Sequence, residues 1–130
     1  MGATFTETTA SITVSVQPFP INDESRPEEG VFVFAYSVRI ENKSDDTVQL
    51  MERHWLIESA DEQTGEVTGA GVVGVQPILT PGENFEYTSS AVIKAPVGSM
   101  KGSYIFRRKS GGFFTVQIPR FRLQFEEALN

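Results

Sequence analysis

Apolar residues in this chain recur at every second position, and no stretch of a dozen residues carries them at the three-to-four spacing of an amphipathic helix. Successive side chains of a strand point to opposite faces, so a period of two belongs to half-buried β-strands and confines the chain to an all-β architecture. Ile12, Val14 and Val16 alternate with Thr13 and Ser15, and Pro18 and Pro20 are expected to end that strand. From Val31 to Ile40 the pattern is strongest: Phe32, Phe34, Tyr36, Val38 and Ile40 share one face and Val33, Ala35, Ser37 and Arg39 the other. Residues 22–30 are polar and aperiodic and read as an exposed loop that could move. Asn42-Lys43-Ser44-Asp45-Asp46 supplies turn chemistry, after which residues 47–57 return as a strand bearing His54 and Trp55, the one histidine and one tryptophan of the chain.

Asp61-Glu62-Gln63-Thr64-Gly65 and Thr80-Pro81-Gly82-Glu83-Asn84 mark further turns, the second leading into Phe85 and Tyr87. Met100, Gly102, Tyr104 and Phe106 share a face, Ser110-Gly111-Gly112 reverses the chain, and Phe114, Val116 and Ile118 return, which makes a β-hairpin. Beyond Pro119 the apolar set moves to odd positions, Phe121, Leu123 and Phe125, the mark of a β-bulge near Pro119. About seven strands separated by turn signals, with no helix and no internal repeat, predict an antiparallel sandwich whose inner faces pack together. Trp55, Phe34, Tyr36, Tyr104 and Phe114 are expected to share its core.

At 130 residues the chain is the size of one domain, residues 1–130, able to bury about two-thirds of its unfolded surface. Its 39% hydrophobic and 22% charged residues exclude a disordered or fibrous chain. The absence of cysteine removes disulfides and thiolate metal sites and fits a cytoplasmic location, and no segment has the length and hydropathy of a membrane span. Met1-Gly2 matches an acylation signal only in having Thr6, too little to carry the reading. The net charge of −6 is unevenly spread: residues before Lys94 hold 15 acids and 4 bases, whereas residues 94–125 hold 7 bases and no acid. An acidic whole argues against non-specific nucleic-acid binding, while a local basic hairpin still attracts anions within a Debye length of about 8 Å.

The best candidate surface is that hairpin: Arg107, Arg108 and Lys109 beside its glycine turn, with Arg120 and Arg122 on the returning strand. Guanidinium forks and turn amides bind phosphate or acidic side chains, although charge at a sheet edge also serves to prevent aggregation. Gly69, Gly71 and Gly74 spell G-x-G-x-x-G, yet the dinucleotide fingerprint needs a helix after it and Val75-Gln76-Pro77 stops one. These glycines are read as structural, allowing positive φ or a tight strand crossing. His54 could join Glu52 or Glu58, which share its strand parity, but that spacing is unspecific, and no metal or cofactor is expected. The carboxylate pairs Glu28-Glu29, Asp45-Asp46, Asp61-Glu62 and Glu126-Glu127 read as solvated loop charges, and no catalytic set emerges.

Five ordered runs together carry a family resemblance: Val33-Phe34-Ala35-Tyr36, Arg53-His54-Trp55, Gly69-Ala70-Gly71-Val72-Val73-Gly74, Pro81-Gly82 with Tyr87-Thr88-Ser89, and Met100-Lys101-Gly102-Ser103-Tyr104. The chain resembles the ApaG family over nearly its whole length. The resemblance implies an immunoglobulin-like or fibronectin-type-III-like sandwich, found alone in bacteria and as a module in some eukaryotic F-box and polymerase-interacting proteins. It also implies a protein-interaction role, and brings with it a cobalt and magnesium efflux label and a gene neighbourhood with a diadenosine-tetraphosphate hydrolase. Bacterial members commonly close on a histidine-bearing tail, whereas this chain ends Glu126-Glu127-Ala128-Leu129-Asn130, so nothing assigned to that tail carries over. The expectation is a non-enzymatic domain binding a protein partner, with a homo-oligomer left open. The alternative is a regulatory protein that binds a nucleotide, pyrophosphate or a divalent cobalt or magnesium ion.

Overall fold

The computed structural model describes residues 3–60 and 64–125. The Met1-Gly2 start, Asp61-Glu62-Gln63 of the turn expected at residues 61–65, and the Glu126-Glu127 pair lie outside the described residues. Two antiparallel sheets face each other. One runs in the order β1 (Phe5–Thr9), β2 (Ile12–Pro20), β3 (Phe32–Asn42), β7 (Asn84–Ile93). The other runs β5 (Thr64–Ala70), β4 (Val48–Ser59), β8 (Val97–Arg108), β9 (Phe113–Gln124), and the two-residue β6 (Ile78–Leu79) attaches to the start of β4. Without β1 and β6 seven strands remain in a three-plus-four arrangement, the expected fibronectin-type-III-like sandwich. No α-helix occurs among the described residues; residues 22–24 and 27–29 form single 3-10 turns.

The inward faces are those the alternation selected. Phe34, Val38 and Ile40 of β3 and Tyr104 and Phe106 of β8 are buried in one cluster with Ile12, Val14 and Val16 of β2. Trp55 is 3% exposed, its ring 5.3 Å from Tyr36 and 5.8 Å from Phe121. Phe114 is half-buried and packs on the edge of the cluster, stacked on Phe106 at 5.6 Å. The bulge lies where the parity change located it: Met100 pairs with Phe121 but Gly102 with Ile118, so β9 carries an extra residue at Pro119-Arg120. A second bulge had no visible sign. Leu50 pairs with Phe106 and Glu52 with Ile105, leaving Met51 as the extra residue of β4.

One expectation is corrected in part. β2 does end at Pro20, opposite Phe34, but Pro18 lies inside it, paired with Tyr36. β1 covers β2 only as far as Val16, so beyond that point β2 is an edge strand, where a missing N–H breaks no ladder. Residues 22–30 are exposed but pinned. The amide of Ile21 donates to the Val33 carbonyl, and the Ser25 hydroxyl accepts from the Val33 amide at 2.9 Å, so this segment lies along β3, where Val33 and Ala35 are buried.

All three tyrosines sit in or against the core, with the Tyr87 and Tyr104 hydroxyls 2.5 Å apart. Burial raises the pKa of each of the Tyr36, Tyr87 and Tyr104 phenols above the usual range, and the Tyr87 phenol beside Tyr104 adds to the rise there. The folded chain thus holds phenolic protons more tightly than the unfolded chain, which releases them near pH 10. The stability these groups contribute is whole below pH 10 and is lost as pH rises beyond it. Absorbance at 295 nm is expected to show almost no tyrosinate at pH 10.5 and then a single rise coincident with unfolding. Gradual ionisation centred near pH 10, with native circular dichroism retained, would contradict the packing.

Candidate functional site

The basic residues divide between opposite ends of the β8–β9 hairpin. At its tip, the Lys109 amide donates to the Thr47 carbonyl at 2.8 Å, tying the turn to the start of β4. Arg107 projects from the outward face and donates to Gln49 Oε1 at 2.8 Å, while the Arg108 guanidinium lies 4.0 Å over the Phe114 ring. Arg120 and Arg122 lie near the other end, where Arg122 pairs with Ser99 and Arg120 sits 3.5 Å from Glu58 and 3.1 Å from the Ser99 hydroxyl. Several residues of extended chain at about 3.3 Å each separate the two groups, so the five cations form two surfaces.

Asn42 organises the tip end. Its buried amide donates to the carbonyls of Asp46 and Leu79, and its Oδ1 accepts from the Ser44 amide and hydroxyl, so the β3–β4 turn and β6 are locked together. The Asp46 carboxylate accepts from the Ser110 hydroxyl, which, with the amides of Thr47 and Ser110 and the charge of Arg108, holds its pKa below the usual carboxylate range. Glu83 is held low in the same way by the amide and hydroxyl of Thr80. Between these anchors lies a depression of about 370 Å³ lined by Thr47, Val48, Gln49, Ile78, Thr80, Arg107 and Lys109.

The glycine run forms a backbone device. Val72 and Val75 exchange both main-chain hydrogen bonds around a two-residue loop, Val73-Gly74, with φ of 42° and 84°, the signs of a type I′ hairpin turn. Gly71 has φ of 63°, and a Cβ there would overlap the Val75 carbonyl. Gly69 leaves room for the Arg53 guanidinium, which a Cβ would approach to 2.9 Å and which donates to the carbonyls of Ala70 and Gly71. Val73 occupies a left-handed position that suits Asn or Gly, yet its β-branched side chain is 55% exposed and its placement owes little to packing. Val73→Asn is expected to stabilise the fold by about 1 kcal/mol, a rise in Tm of about 4 °C. An unchanged or lower Tm in a calorimetric scan would show the turn to be unstrained.

His54 stands on the outward face with Nε2 2.5 Å from Glu66 Oε2, while Glu52 pairs across to Ala70 and Glu58 faces Arg120. Among the described residues no three histidine, cysteine or carboxylate groups converge as metal ligands.

Sequence reasoning missed the apolar part of this surface. Ile78 is 60% exposed, Phe113 65% and Val75 45%. Ile78, Gln49, Arg107 and Phe113 are successive cross-strand partners on β6, β4, β8 and β9, so they form one row across the outward face. A signal existed: in strands of period two, the doublets Phe113-Phe114 and Ile78-Leu79 each force one apolar side chain outward.

The ApaG domain model matches residues 22–108. The chain is 50% identical over 119 residues to the Protein ApaG of Rhodospirillum centenum, covering 92% of each, and 48% identical over 120 residues to that of Nitrosomonas europaea, covering 92% of this chain and 94% of the relative. Among solved structures, the putative ApaA protein from Bordetella pertussis superposes with a TM-score of 0.86 at 43% identity, over 89% of this chain and 94% of that one.

Proposed function

For this chain, which belongs to the ApaG family, we propose a non-enzymatic role as a cytoplasmic domain that binds a protein partner through the hairpin end of its five-stranded sheet. The observation that carries the reading is the gathering of exposed Ile78 and Phe113 in one row with Arg107, on a face that folding alone leaves uncovered. Shifts in acidity support a binding role over a catalytic one. They fall on buried tyrosines and on two carboxylates tied to turn donors, rather than on an acid and base set against each other in a pocket. The absence of cysteine supports the cytoplasmic placement.

A second reading takes the same depression as an anion site, with Arg107 and Lys109 on a phosphate or pyrophosphate. The two separate in a capture experiment. A tagged chain and its Ile78→Asp/Phe113→Asp variant, matched in Tm, are passed over an extract of the source cells. The protein-binding reading expects a discrete partner held by the parent and lost by the variant. Equal retention by both would move the partner off this row, and a Tm rise of several degrees with millimolar pyrophosphate and no captured protein would replace the reading with the second.

A further inference from the structure

The row that supports the binding reading has a spacing and a charge pattern that specify a partner. Strands lie about 4.8 Å apart, so Ile78 and Phe113, three strands apart, are separated by about 14 Å, with Gln49 and Arg107 between them. In an extended chain alternate side chains repeat at about 6.8 Å, and two such steps span the same distance. A segment lying across the strands thus sets residue i over Ile78, residue i+2 over the Gln49–Arg107 pair and residue i+4 over Phe113.

The chemistry at each point differs. The first residue meets the depression beside Ile78, whose walls include Val48, and the last meets the open ring of Phe113. The middle one meets cations. Among the described residues the ion pairs engage Arg26, Arg39, His54 and Arg120, and no carboxylate lies within 4.0 Å of Arg107 or Lys109. Arg107 has one donor on Gln49 and further N–H groups to offer, and Lys109 flanks the same depression. Two carboxylates held at this end of the sheet, Asp46 and Glu83, already accept from Ser110 and Thr80.

We propose that this row is a docking site for an extended segment of a partner protein in which one acidic residue is flanked, two positions to either side, by large apolar residues. The proposal rests on the protein-binding reading and adds the chemistry of the segment. Three peptides test it by amide chemical-shift titration of the full chain: Ser-Leu-Ser-Glu-Ser-Leu-Ser, the same peptide with Lys for Glu, and the same peptide with both Leu replaced by Ser. The first is expected to saturate with shifts confined to residues 47–49, 77–80 and 105–113, and to bind at least tenfold more tightly than the other two. Arg107→Glu and Ile78→Asp, checked for unchanged Tm, are expected each to weaken it tenfold or more, and added salt to weaken it further.

Equal binding of the Lys peptide, shifts elsewhere on the molecule, or no saturation at millimolar peptide overturns the proposal. So does stronger occupation of Arg107 and Lys109 by inorganic pyrophosphate than by the first peptide. If the capture experiment still yields a partner lost with Ile78→Asp/Phe113→Asp, the binding reading stands and only this segment chemistry fails. Loss of that partner from both parent and variant removes the reading beneath it.

Discussion

Gly102→Val is expected to destabilise the fold by about 3 kcal/mol or more, an overpacking cost at the upper end of the usual range. Gly102 of β8 pairs with Trp55 of β4, and a Cβ built on it overlaps the His54 carbonyl oxygen and comes within 3.2 Å of the Trp55 Cα. The obstruction is main chain, so no rotamer change relieves it. β4 would have to leave β8, and with it Trp55 would leave Tyr36 and Phe121. Against a total stability of about 5–15 kcal/mol for a domain, that loss reduces the folded population at moderate temperature. Urea unfolding followed by far-ultraviolet circular dichroism measures it; a midpoint within experimental scatter of the parent would mean that the two strands are not as close as they stand here.

Phe121→Ala is expected to cost about 3–5 kcal/mol, the usual range for emptying a buried phenylalanine site. Phe121 is 1% exposed and lies 6.3 Å from Phe5 of β1, 5.8 Å from Tyr36 of β3 and 5.8 Å from Trp55 of β4. It therefore fastens three other strands drawn from both sheets. Because Trp55 loses its edge-to-face neighbour, its fluorescence is expected to shift to the red and to become more accessible to iodide while the chain is still folded. A loss below about 1 kcal/mol with unchanged emission would place Phe121 outside the core.

That Phe121 points inward was legible in the sequence, because the extra residue at Pro119-Arg120 shows as a change of apolar parity flanked by clean alternation. The equivalent bulge at Met51 was not legible. Apolar Leu50 and Met51 adjoin it, and Trp55, Leu56 and Ile57 run together farther on, so no change of parity stands out. β1 escaped notice because Phe5-Thr6-Glu7-Thr8-Thr9 has one apolar residue and completes a mostly exposed edge, and β6 is too short to show a period. Pro18 misled because the cost of a proline in a strand depends on whether a neighbour needs the N–H, which is a property of the assembled sheet.

The site was legible in part. Arg107, Arg108 and Lys109 were marked by charge, but grouping them with Arg120 and Arg122 treated hairpin partners as neighbours, although 12-residue strands carry the two sets apart. The Val73-Gly74 turn lacks the Asn-Gly signal of its type, so its left-handed valine is visible only in the backbone angles. The exposed row across β6, β4, β8 and β9 depends on register, and register over four strands is fixed by the turns and bulges together rather than by any one segment.

The most direct test of the binding surface is hydrogen–deuterium exchange on the chain alone and in complex with the protein it captures. The account predicts added protection confined to residues 47–49, 77–80 and 105–113, with the outward face of the four-stranded sheet unchanged. Protection centred on β1, β2, β3 and β7, with residues 105–113 exchanging as before, would contradict it.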